Sequence, residues 1–181
     1  MQQTGTMSAG FTLMEMIVVV LIVAVLASFA VPQYRMAVAR SKMSTLIPMV
    51  RALKNGMEMS YLINGSYPDR FGGEVIMDVD MFAGCTSIDP EGWITCPEDV
   101  YFDIYGWTEL TVGAVDARHQ VAYLVWLDNS SHPSEKRCLA NRDNETANRL
   151  CKSLGGRVTR SENFGSMTTL GGNSNYTVYR I

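Results

Sequence analysis

The apolar and polar positions of this 181-residue chain fall into three stretches of different character. From Met16 to Tyr34 there is no charged side chain, and Phe11–Val31 reads as one continuous apolar run broken only by Glu15. At about 1.5 Å rise per residue that run is roughly 30 Å long as a helix, enough to cross a bilayer. From Met36 onward the pattern changes. Met36, Ala39, Met43, Leu46, Val50, Leu53, Met57 and Tyr61 recur at spacings of three and four, with Arg35, Arg40, Lys42, Arg51, Lys54 and Glu58 mostly off that stripe. This is one face of an amphipathic helix, expected to pack on a sheet of the same chain. Pro48 is expected to interrupt any heptad repeat, which disfavours a coiled coil. Asn64-Gly65 is expected to end the helix, because Gly suits the left-handed cap.

Beyond that point the chain reads as short strands between turns. Asp99–Tyr105 alternates, with Val100, Phe102 and Ile104 on one face and Tyr101, Asp103 and Tyr105 on the other. Glu109–Ala117 and Gln120–Asp128 follow as β-rich runs joined by a hairpin at Arg118-His119, and Tyr176–Arg180 is expected to return as a fourth strand. Asn144 or Asp143 caps a short helix through Leu154, and Gly155-Gly156 stops it. One long helix followed by an antiparallel sheet is an α+β arrangement.

Charge changes the picture in two ways. The whole chain is near neutral, 15 basic against 18 acidic residues, which gives no global nucleic-acid signal. Yet the blocks differ: residues 11–61 hold five basic and two acidic side chains, residues 62–128 two and twelve, and residues 129–181 eight and four. Segregated charge suits a subunit that meets copies of itself through opposite patches. The second point is Glu15. A carboxylate inside an apolar membrane-length run costs several kcal/mol unless it is paired or reaches the interface, so it calls for a partner. A cleaved secretory signal would need a basic leading region, which residues 1–10 lack, and a plain anchor leaves Glu15 unexplained.

Gly10-Phe11-Thr12-Leu13-Met14-Glu15 resembles the processing motif of type IV prepilins and pseudopilins. Val31-Pro32-Gln33-Tyr34 is similar to that family's usual continuation, and Tyr61–Pro68 to the segment that closes its long helix. The resemblance implies a leader of residues 1–10, cut after Gly10 by a prepilin peptidase that methylates the new Phe11 amine. Met1 and Met7 both stand as candidate starts. It implies a filament-core helix at 11–34 kinked at Pro32, an amphipathic helix at 35–63 and a globular α+β head at 64–181. It also implies that Glu15 neutralises the Phe11 amine of a neighbouring subunit, two charges that become tolerable in an apolar core only as a pair. The implied partners are copies of the chain or related pilins, an inner-membrane assembly platform and its ATPases. The precursor would sit in the inner membrane with a periplasmic head, and the mature subunit in a cell-surface filament.

Four cysteines, Cys85, Cys96, Cys138 and Cys151, allow three pairings. Local pairing of Cys85 with Cys96 and Cys138 with Cys151 closes two turn-rich loops, and the second bridge would tie the start of a C-terminal loop to the short helix. A four-cysteine zinc site is the alternative, though no C-x-x-C pair is present. Paired cysteines imply an oxidising compartment. No cofactor is called for. His119 and His132 sit in no metal or nucleophile motif, and Asp78 and Asp80 form a lone D-x-D that would bind Ca²⁺ only weakly as a signal. No catalytic constellation is present. Four readings therefore remain: a pilus subunit; a type II secretion pseudopilin; a minor pilin acting as an adhesin or, since residues 129–181 are basic, a nucleic-acid receptor; and, from another class, a signal-anchored periplasmic enzyme.

Overall fold

The computed structural model describes residues 11–68, 82–85, 87–88, 93–104, 110–159 and 175–181. The chain divides into two compact units, Met1–Ala37 and Val38–Ile181. Residues 1–10 with Gly10, expected to be a leader, the Asp78/Asp80 pair and residues 171–174 lie outside the described residues.

Helix α1 runs over Leu13–Asn64 and continues through both Pro32 and Pro48. Pro48 therefore does not end it: proline removes one backbone donor, and the remaining ladder carries the helix on. The helix stops where Gly65 adopts a φ of 74° and its amide donates to the Tyr61 carbonyl at 2.8 Å. In the first unit the apolar side chains stand exposed from Phe11 through Val31. In the second, Ala39, Met43, Leu46, Val50, Leu53, Gly56, Met57 and Ser60 are buried: six of the eight positions that the spacing marked out, with Gly56 and Ser60 added, while Met36 and Tyr61 are only half-buried. Tyr61 stacks on Tyr67, with ring centroids 4.6 Å apart.

Among the described residues the second unit forms an eight-stranded antiparallel sheet. Its strands are β1 (Ser87–Ile88), β2 (Ile94–Cys96), β3 (Val100–Ile104), β4 (Thr111–Asp116), β5 (Val121–Trp126), β6 (Lys136–Asn141), β7 (Arg157–Val158) and β8 (Tyr176–Arg180). Their spatial order is β1-β2-β3-β4-β5-β6-β8-β7. The four strands legible in the alternation are all present; β1, β2, β6 and β7 are additional. Cys138 lies in the middle of β6, so the stretch read as the start of a loop is a central strand.

Register explains the layering. Phe102, Ala114, Tyr123, Cys138 and Tyr179 follow one another across β3, β4, β5, β6 and β8, so they share a face. Leu46 and Met49 of α1 border one cleft with Val100 and Phe102, and Arg51 and Lys54 border another with Val125 and Lys136, which lays the helix stripe over this face. On the opposite face Val115, Ala122, Leu124, Trp126, Leu139, Tyr176 and Val178 form a second buried cluster, with Trp93 and Tyr101 packed against it. Both faces being buried, β5 reads Val-Ala-Tyr-Leu-Val-Trp, apolar throughout. Each fully buried aliphatic side chain contributes about 1.5–3 kcal/mol.

Helix α2 spans Glu145–Ser153. Asn144 is its cap, its side chain accepting from the Ala147 amide. At the other end the Gly156 amide donates to the Cys151 carbonyl at 3.2 Å and the Gly155 amide to the Lys152 carbonyl at 3.1 Å, a Schellman closure with Gly155 at a φ of 92°.

Candidate functional site

The first turn of α1 is closed by a reciprocal pair. The Thr12 amide donates to Glu15 Oε2 at 2.7 Å, the Thr12 hydroxyl donates to the same oxygen at 2.8 Å, and the Glu15 amide donates to the Thr12 hydroxyl at 3.2 Å. This is a capping box, in which two of the orphan donors of a helix start are satisfied by the residues at either end of its first turn. Sequence reading singled out Glu15 and passed over Thr12; the T-x-x-E spacing was the signal. Both donations fall on Oε2. The carboxylate is held at Thr12, the residue after Phe11, which is 81% exposed, and at the positive end of the helix dipole.

Behind Glu15 the surface is apolar. No residue is buried in the most apolar stretch of α1, and the helix is long and apolar enough to cross a membrane. Ser28 does not break this, because its hydroxyl donates to the Val25 carbonyl at 2.7 Å inside the same helix. A contiguous apolar surface of this size marks a membrane or protein contact. Pro32 lies within this exposed stretch. Phe11, Glu15 and Pro32 thus all sit in the first unit, and the four cysteines in the second.

In the second unit the cysteines pair locally. Cys85 is bonded to Cys96, ahead of β3, and Cys138 to Cys151, which fastens α2 to the centre of the sheet. With all four engaged, no cysteine is free to build the alternative zinc site. Among the described residues no group of three or more His, Cys, Asp or Glu is placed to hold a metal. His119 sits at the β4–β5 hairpin, its Nδ1 2.6 Å from the carboxylate of Asp116. His132 meets the Ser131 hydroxyl at 2.9 Å.

Polar links fasten the second half of α1 to the sheet. Lys42 pairs with Glu98, and Lys54 Nζ lies 2.6 Å from Asp128. Hydrogen bonds from Lys54 and Ser134 hold the Asp128 carboxyl below its usual range, and Lys42 does the same for Glu98. Glu58 takes the Asp128 amide on one oxygen and the Tyr67 hydroxyl on the other, each at 2.7 Å. Burial, then the bond to Glu58, pushes the Tyr67 hydroxyl up to about 12. Burial likewise raises the Tyr123 and Tyr179 hydroxyls. These contacts tie the second half of α1 and the turns to the sheet.

Comparison with known proteins gives a consistent result. The chain is 36% identical over 65 residues to a type IV major pilin protein of Neisseria gonorrhoeae, covering 36% of this chain and 39% of that one. It is 32% identical over 85 residues to the type IV major fimbrial protein of Dichelobacter nodosus, covering 45% and 54% respectively. It is 42% identical over 53 residues to a fimbrial protein of Pseudomonas aeruginosa, covering 29% and 34%. The matches thus span about a third to a half of these relatives' own length. No family model and no solved structure matches the chain. Over about a third to a half of its length, then, the chain is similar to type IV pilins and fimbrial proteins.

Proposed function

We propose that the chain is a structural subunit of a bacterial type IV pilus or pilus-like filament, and that its work is assembly. The observation that carries this reading is the exposed apolar length of α1 led by a capped carboxylate. In water that surface is unstable, and it has two stable environments: lipid before assembly and a bundle of identical helices after it. Burial at about 25 cal/mol per Å² of apolar surface drives the transfer into the bundle together with packing.

Cleavage after Gly10 would expose a cation at Phe11. Glu15 is already ordered by Thr12 through Oε2, which leaves Oε1 to receive the amine of a neighbouring subunit. Desolvating either charge alone is costly, so the pair fixes axial register: a subunit shifted along the fibre would bury both unanswered. Pro32 supplies a bend at a missing hydrogen bond. A prepilin peptidase, an inner-membrane platform and dedicated ATPases would process and move the subunit, from the inner membrane to the cell surface. Mass spectrometry of sheared surface filaments tests the reading, by whether a peptide of this chain begins at methylated Phe11.

A further inference from the structure

Three arginines occupy one row of the sheet. Arg137 of β6 is the register partner of Arg180 of β8, and Arg180 is in turn the register partner of Arg157 of β7. Direct partners on antiparallel strands share a face with Cα atoms about 5 Å apart, so three guanidinium stems leave the sheet side by side.

One carboxylate answers the inner two. Glu135, 8% exposed, accepts from Arg137 Nε at 2.7 Å on one oxygen and lies 3.2 Å from Arg180 Nη2 with the other. Arg137 is buried and also lies over the Trp126 ring, 4.6 Å from its centroid. Arg180 is held at one end of its fork, and its side chain is 64% exposed. Arg157 is exposed on a two-residue strand at the edge of the sheet, and no described carboxylate lies within ion-pair distance of it. Like charges directly opposite one another weaken strand pairing, and so short a strand has few other contacts to offset the repulsion.

We propose that Arg157 and Arg180 form a receptor for an oxyanion, a phosphate or carboxylate group carried by a ligand outside the chain. The planar fork of each guanidinium matches the oxygens of either group, and two adjacent forks can grip one anion from both sides. Glu135 has both oxygens engaged, so it orients Arg180 without filling the site. The anion would cancel the repulsion between β7 and β8 and tighten the sheet edge. This inference does not depend on filament assembly.

The test is NMR of arginine Nε–Hε signals in the full chain held in detergent micelles. Sodium phosphate and sodium acetate are titrated separately, with sodium chloride holding ionic strength constant. Saturable shifts at Arg157 and Arg180, weakened roughly tenfold or more in Arg157→Gln and unchanged in Arg149→Gln, are expected. Arg149 serves as control because its guanidinium is paired with Glu145 on α2. Saturation by phosphate alone assigns a phosphoryl ligand, by acetate alone a carboxylate ligand, and by both an oxyanion site without preference. Shifts that track chloride, or an Arg157→Gln chain that binds as the unaltered one does, overturn the proposal.

Discussion

Thr12 and Glu15 cap one another, each backbone amide donating to the other's side chain across a single turn. The acid that the filament reading assigns to a neighbour is therefore ordered before any neighbour arrives. Thr12→Val keeps the shape and removes the hydroxyl. It should cost about 1 kcal/mol of local helix stability, read as faster hydrogen exchange at the Glu15 amide in micelles, while Thr12→Ser should restore protection.

Gly156 has no room for a side chain. A Cβ there would lie 2.7 Å from the Cys151 carbonyl oxygen and 2.8 Å from Tyr179 Cβ, both on elements fixed by a disulfide or a strand. Gly156→Ala should destabilise the head by about 1–3 kcal/mol, measured as a lower urea midpoint at an unchanged slope.

The Cys138–Cys151 bridge closes a loop of sequence separation 13 and joins α2 to β6. Replacing both cysteines with serine should cost about 3 kcal/mol in the chain-entropy model. The same comparison under reducing conditions should abolish the difference between the two proteins.

The Tyr67 hydroxyl stays protonated further into alkali when folded than when unfolded, because it is desolvated and donates to Glu58. A raised folded value means the contribution is complete below the unfolded value of 10.0 and is lost as pH climbs towards about 12. Denaturant titrations across that window should show stability falling with pH, and Tyr67→Phe should flatten that part of the curve.

How much of this was legible in the sequence depended on whether a residue's environment is set locally. The α1 stripe was legible because one face of a helix meets one layer, and its buried positions follow at three and four. Strands β3, β4, β5 and β8 were legible from alternation or β-branched runs. Strand β6, Lys-Arg-Cys-Leu-Ala-Asn, carries no such period. Its Arg137 is buried because Glu135, two residues earlier, and Trp126, brought beside it by the neighbouring strand, satisfy it. β1 and β7 have two residues each, too few for any period to show. The row Arg137–Arg180–Arg157 is invisible before register is known, since its members come from three strands.

The central claim is that Glu15 answers the Phe11 amine of another copy. Its most direct test is quantification of sheared surface filaments, with N-terminal mass spectrometry, for the unaltered chain and for Glu15→Gln at matched membrane levels. The account predicts peptides beginning at methylated Phe11 in abundant filaments of the unaltered chain, and filament yield falling by roughly a hundredfold or more in the variant, the several kcal/mol expected when one buried charge loses its partner. Normal filament yield from Glu15→Gln, or filaments whose subunits keep residues 1–10, would contradict it.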